Sequence, residues 1–382
     1  MKAAVTTLAF CVAALLALGM VMLYSSSSSM IQHGVRVGAN YLIMQMIWCV
    51  LGLVACVVAT SLDYRLLKKI VWPLFALAVI LLVLVLLPLP HGLTKKINGA
   101  HRWFILPGLR LQPSELGKLA LIFALAWYGD IRKWDMNTWW RGLVVPALIA
   151  LPILGLIFIE PDRGTTILLA GVSGIMLLLA GVNLKHVVLP VFFGIVALGV
   201  ALAYDPMRLA RLRSWWDLEG TKTGVGFQGY QSILALGSGG WTGQGLGNGR
   251  QKLGWVPEHH TDFIFAIIGE ELGLVATLLV VAAFLVILLC GLYIALRAPD
   301  RFGLLLGCGV TFLIGLQAFI NIGVVTGALP NKGLPLPFIS YGGSNLLAML
   351  ACIGLLFSIA RRARESDTAR EPLISGEIPQ PA

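Results

Sequence analysis

Apolar runs close to 20 residues long recur along the whole chain, and that is the length an α-helix needs to cross a bilayer. They lie near residues 4–24, 42–60, 70–88, 114–128, 142–159, 165–182, 187–204, 268–296, 304–325 and 342–360. A soluble core could not bury them, because 58% of the 382 residues are hydrophobic and only 12% are charged. The runs predict an all-α polytopic membrane protein with about ten transmembrane helices. Residues 1–360 form a single transmembrane domain in this reading. The polar, proline-containing tail 361–382 is expected to be disordered. The first run reads as a retained helix, since no A-x-A-like cleavage site precedes SSSSS. Six cysteines fall inside the apolar runs without any C-x-x-C spacing, which implies reduced packing thiols and neither a disulfide framework nor a zinc site.

Lysine and arginine in the short loops set the orientation. An even number of spans puts both termini on one side. The tail arginines Arg361, Arg362, Arg364 and Arg370 share that side with Arg65, Lys68, Lys69, Arg132, Lys133 and Arg141. Both termini are therefore expected to be cytoplasmic, with a large extracytoplasmic loop, 205–262, between helices 7 and 8. The opposite face is nonetheless rich in positive charge: Lys95, Lys96, Arg102 and Arg110 in one loop, and Arg208, Arg211, Arg213, Lys222, Arg250 and Lys252 in the other. Such a surplus fits a strongly anionic ligand, such as a phosphate or pyrophosphate headgroup, or contact with anionic membrane lipid. It does not fit nucleic acid, because the basic residues are scattered over short loops.

Four stretches carry groups capable of chemistry. In PSELGK (113–118), Pro113 suits the first turn of a helix, and Glu115 and Lys118 share one face and can pair. An ion pair at membrane depth either is structural or lines a wet cavity. EPDRGT (160–165) holds Glu160, Asp162 and Arg163 in a tight turn that could line the same cavity. Loop 205–262 is glycine-rich, contains Trp241 and Trp255, and shows no obvious structure of its own; it matches no phosphate-loop fingerprint.

The fourth stretch, PEHHTDFIFAIIGEELG (257–273), packs His259, His260, Asp262, Glu270 and Glu271 around an apolar centre. Helical rise separates its two ends by about 12 Å, too far for one compact metal shell, so no metal site is assigned. A loosely held Mg2+ or Mn2+ bridging Asp262 to a pyrophosphate is compatible with the sequence. Asp262 beside Phe263, Ile264 and Phe265 is placed either as a partly desolvated general base or as the N-cap of the next helix. Glu270 and Glu271 have no role in this reading.

Five long strings, RWFILPGLRLQPSELGKL, EPDRGT, GYQSILALGSGGWTGQGLGNGRQK, PEHHTDFIFAIIGEELG and LPNKGLPLPFISYGGSNLL, together resemble the SEDS family, the FtsW, RodA and SpoVE group of bacterial wall synthases. IIGEELG and NKGLPLPFISYGGSN look more like its division branch than its elongation branch. The resemblance covers essentially residues 5 to 360. It implies ten spans and a peptidoglycan glycosyltransferase that polymerises lipid II in the plasma membrane, at the division septum, with Asp262 as the catalytic aspartate. Matching motif positions are Arg102, Trp103, Gln112, Pro113, Ser114, Glu115, Lys118, Asp162, Lys252 and Ser340 to Gly343. Arg102, Glu115, Lys118, Asp162, Arg211, Lys252 and Ser340 are the expected substrate-binding residues, with Lys118 a candidate for stabilising the leaving pyrophosphate and Glu115 holding it in place. No cofactor is required. A class B penicillin-binding transpeptidase and other divisome proteins are the expected partners. A flippase or other transporter of the lipid-linked precursor is the alternative, since many spans and polar groups at membrane depth suit it equally.

Overall fold

The computed structural model describes residues 1–27, 31–32, 35–36, 38–87, 94, 101–106, 109–204, 206–256 and 260–375. Twelve helices follow one another among these residues: α1 (Lys2–Ser27), α2 (Gly38–Ser61), α3 (Leu67–Leu86), α4 (Pro113–Ile131), α5 (Val145–Ile159), α6 (Arg163–Leu179), α7 (Leu184–Ala203), α8 (Pro206–Trp216), α9 (Phe227–Ser238), α10 (Ile264–Leu296), α11 (Arg301–Val325) and α12 (Gly343–Ser375). The strands are two short antiparallel hairpins, β1 (Ile31–Gln32) with β2 (Val35–Arg36), and β3 (Phe104–Leu106) with β4 (Leu109–Leu111). The protein is all-α and polytopic. Among the described residues, seven helices are long and apolar enough to cross a membrane: α1, α2, α3, α5, α10, α11 and α12, α3 and α5 counted together with the short turns that lead into them. The other three predicted runs coincide with α4, α6 and α7. Of these, α4 carries Glu115, Lys118 and Asp130, and α6 is only 17 residues long.

Two expectations need correction. Loop 205–262 is not structureless, because it folds as α8, α9 and a short 3-10 turn at Gln251–Leu253. Short apolar faces there find partners on the bundle: Ser232 donates to the Val325 carbonyl and the Trp215 indole to the Gly327 carbonyl. Residues 361–375 are also not irregular, since α12 continues unbroken to Ser375. Arg362 and Glu365, three residues apart, pair on that extension, and Arg362 also reaches Asp63.

Helix ends follow local chemistry. Gln112 precedes α4 and Pro113 opens it, where a missing N–H costs nothing. Asp162 caps α6 by accepting from Thr165 N, and Asp300 caps α11 by accepting from Gly303 N. Prolines 73, 152 and 190 sit inside α3, α5 and α7. Such prolines are tolerated in membrane helices.

The centre of the bundle is α11 and α12. About two thirds or more of their apolar stretches is buried within the protein (67% and 78%), against 22–33% for the other five of the seven. α2 runs along α12, α1 along α10, and α3 along α4, while α11 touches α4, α6 and α10. The peripheral helices turn Phe10, Val57, Leu151 and Leu279 outward, as a lipid-facing surface requires. The six cysteines are free thiols.

Candidate active site

Asp262 lies just ahead of α10, and its main chain is strapped to the segment that joins α11 to α12. The Tyr341 amide donates to the His260 carbonyl, at 3.0 Å. The Ser340 hydroxyl donates to the Thr261 carbonyl and accepts from the Leu336 amide. Asn321, on α11, donates to the carbonyls of Asp262 and Leu334, both at 2.7 Å. Gln45 of α2 closes the assembly from behind, donating to the Ser340 carbonyl and accepting from Gly342 N. Three consecutive carbonyls are thereby fixed, which holds the half-buried Asp262 side chain at the bundle's end. The capping position of α10 belongs to Phe263, so the N-cap reading of Asp262 does not hold. His260 packs edge-on against Tyr41. His259 lies outside the described residues, as do Lys95 and Lys96.

The predicted Glu115–Lys118 pair forms on α4, with Nζ 2.7 Å from Oε2. It is deeper than an interfacial pair: Lys118 is 1% exposed and Glu115 6%. Lys118 also donates to Gln317 Oε1, and Glu115 accepts from Asn345. Gln317 in turn donates to the Pro335 carbonyl and to Asn345. The pair therefore joins α4 to α11, α12 and the segment that carries Ser340.

Lys252, Glu270 and Glu271 belong to a second buried assembly that resolves the function of the two glutamates. Glu270 accepts from the amides of Arg250 and Gln251. Glu271 accepts from the Gly247 amide, from Lys252 Nζ at 2.6 Å, and from Ser25 Oγ of α1. Lys252 is 4% exposed, and its ammonium also donates to Ser25. The main chain joins in: Gln244 N and Gly245 N donate to the carbonyls of Glu270 and Glu271, and Leu274 N to that of Gly240. At Gly273 α10 breaks, with φ 79° and ψ −173°. That conformation needs glycine, and it frees the backbone groups that the loop then satisfies. The glycine-rich loop is thus docked onto α10 by two carboxylates.

The tight turn between α5 and α6 holds a different arrangement. Arg102 donates to the carbonyls of Glu160 and Pro161, at 2.8 and 2.7 Å. Asp162 spends both carboxylate oxygens on Thr165, through the amide and the hydroxyl. Glu160 is fully buried, and neither of its carboxylate oxygens has a hydrogen-bond partner. Burial, with the nearby Asp162 charge adding to it and Arg102 opposing, pushes its pKa up to about 8.

Lys332, which the sequence reading did not single out, completes the mouth. Gly333 approaches Asp262 so closely that a Cβ there would lie 2.7 Å from Oδ2, and Leu334 packs on Gly164. Asn331 shares a small cavity with Arg211 and Phe263. Lys332 precedes these contacts in the chain, and the charges of Arg163, Arg211 and Asp162 act on it. Burial, then Arg163 and Arg211, lower its pKa, with Asp162 opposing. Of the expected substrate-binding residues, Arg211 and Lys332's neighbour Asp162 stand beside this mouth. Glu115, Lys118 and Lys252 lie in closed networks, and Ser340 and Arg102 bond to main chain. Among the described residues no three His, Cys, Asp or Glu side chains gather as a metal-ligand set.

A family model described as Cell cycle protein, covering FtsW, RodA and SpoVE, matches residues 6–365. The chain is similar to the probable peptidoglycan glycosyltransferase FtsW of Trichlorobacter lovleyi, 40% identical over 91% of each chain. It is 36% identical to the stage V sporulation protein E of Bacillus subtilis, over 92% of this chain and 95% of that one. A solved chain from work on the structural coordination of polymerization and crosslinking by a peptidoglycan synthase complex superimposes with a TM-score of 0.78. Its identity is 28%, over 93% of this chain and 97% of that one. The rod shape determining protein RodA of Thermus thermophilus gives 0.68 at 30% identity, over 93% and 95%.

Proposed function

From the premise that this chain belongs to the FtsW, RodA and SpoVE family of cell cycle proteins, we propose how its own residues carry out glycan synthesis. The chain is a multi-pass membrane protein and a peptidoglycan glycosyltransferase of the FtsW type, which polymerises lipid II into glycan strands. The transporter reading has no observation in its favour that this one lacks.

Asp262 is the general base. Its carboxylate accepts the proton of the acceptor's GlcNAc 4-hydroxyl as that oxygen bonds to the donor's MurNAc anomeric carbon. The bond from that carbon to the pyrophosphate oxygen breaks, and undecaprenyl pyrophosphate leaves with the electron pair. Single displacement inverts the centre to a β-1,4 link. The observation that carries this reading is the fixing of three successive carbonyls, His260 to Asp262, by Tyr341, Ser340 and Asn321. A base contributes typically 10²–10⁴-fold only when held within hydrogen-bond reach of its proton, and this strapping supplies that hold. Polymerisation of lipid II by the purified chain should therefore fall about 10³-fold in Asp262→Ala with an unchanged thermal midpoint. Normal turnover in the folded variant rules out the base.

The finer arrangement follows from the same reading: ten crossings, both termini cytoplasmic, the Asp262 end facing outward in the plasma membrane at the septum. A class B penicillin-binding transpeptidase supplies crosslinking, with other divisome proteins around it. The reaction needs no cofactor; a Mg2+ or Mn2+ between Asp262 and the pyrophosphate would reveal itself as loss of turnover in EDTA.

A further inference from the structure

Three cationic side chains beside Asp262 make no ion pair with another described residue. Arg163 leaves Nε and Nη1 buried without hydrogen-bond partners and rests over the Phe158 ring. Lys332 is half-buried, with the next two residues, Gly333 and Leu334, against Asp262 and against Gly164 at the start of α6, and Arg211 lines the adjoining cavity with Asn331 and Phe263. The one carboxylate close to them on α6, Asp162, is already bonded twice to Thr165. Like charges crowded in a partly desolvated place repel, and burying a cation without a partner is costly. The arrangement makes sense when a doubly charged anion arrives, since each donor then gains a charge-assisted bond.

Geometry also says which anion. The base sits about 3 Å from the attacking hydroxyl, and the leaving oxygen lies just across the anomeric carbon from it. The donor's pyrophosphate is therefore close to Asp262, whereas the acceptor's own pyrophosphate lies beyond two sugar rings. Lys118 is 1% exposed, its charge is already paired with Glu115, and a second of its three donors goes to Gln317. We infer that Lys332, Arg163 and Arg211 form the clamp for the donor's leaving pyrophosphate, in place of Lys118. The inference rests on Asp262 as the base.

The test uses the full chain in detergent and farnesyl pyrophosphate as a sugar-free probe, with farnesyl monophosphate as its control, read by calorimetry. Wild type should prefer the pyrophosphate. Lys332→Ala and Arg163→Gln should each weaken it about tenfold or more, as loss of one charge-assisted bond predicts. Lys332→Arg should keep affinity within about threefold, and the monophosphate should respond less. Should Lys332→Ala misfold, Arg163→Gln and Lys332→Arg still decide. Unchanged pyrophosphate affinity in the folded variants, or a larger loss in folded Lys118→Gln, overturns the clamp. No glycosyl transfer occurs in this measurement, so it separates from the polymerisation assay. Normal probe binding in the clamp variants together with a dead Asp262→Ala removes the clamp and keeps the base. A Lys332-dependent preference with full polymerisation by Asp262→Ala keeps an anion site and removes both the base and the donor assignment.

Discussion

The two buried assemblies and the mouth around Asp262 use the same residue types to opposite ends. Around Lys118 and around Glu271 every buried charge is answered, Lys118 by Glu115, Lys252 by Glu271, and Glu270 by two backbone amides. At the mouth, Arg163, Arg211 and Lys332 stand together without ion pairs among the described residues, and Glu160 is buried with neither oxygen hydrogen-bonded among them. Closed charge holds helices and a loop in place. Open charge is reserved for a ligand or stays neutral. The difference teaches that burial alone does not mark a functional residue in this protein; incompleteness of partners does.

The comparison can be broken most strongly at Glu271. Glu271→Ala strands the Lys252 ammonium and frees the Gly247 amide, and breaking a buried pair costs about 3–5 kcal/mol. A large drop in thermal midpoint and early proteolysis between residues 239 and 256 should follow. A midpoint equal to wild type would mean that the assembly is not closed. Gly243→Ala attacks the same dock without touching charge. Gly243 has φ 80°, and a Cβ there would lie 2.2 Å from the Glu271 carbonyl oxygen. Strain at such a position should cost about 2 kcal/mol, read in the same melt.

Glu160→Gln probes the open side, and its effect vanishes at low pH. Its carboxyl is raised in the folded state, to about 8 from an ordinary 4.5. The folded protein favours the protonated form, so stability is full below the unfolded pKa and declines as pH rises from there toward 8. Glutamine cannot ionise. The variant should match wild type near pH 4 and gain on it as pH rises toward 8, by about 1.4 kcal/mol for each pH unit in between. Parallel pH–stability curves would show that Glu160 is hydrated or paired after all.

The spans were legible in the sequence because a bilayer demands long apolar runs, and Glu115 with Lys118 because three residues on a helix share a face. Lys252 with Glu271 was not, since their pairing depends on a loop folding back over a broken helix. Lys332 hid for a related reason: NKGLPLP reads as a turn, and its nearness to Asp262 and Arg163 comes only from the packing of α6, α10 and α11. Gln317 and Asn321 did carry a signal. Two amides four residues apart inside an apolar run lie on one face, and polar groups at that depth rarely lack a task. The helices of loop 205–262 were missed because α8 is only 11 residues long and interrupted by arginines, and α9 is 12 residues long and flanked by glycine.

The break at Gly273 has a mechanical consequence. α10 is two rods splinted across one break: a short rod, 264–272, and a long rod, 274–296, both bonded to the glycine-rich loop, the long one through the Leu274 and Val275 amides. A torque on either rod is shared with the loop that spans the break. A tug on the loop travels along the short rod to Phe263 and, one residue before it, Asp262.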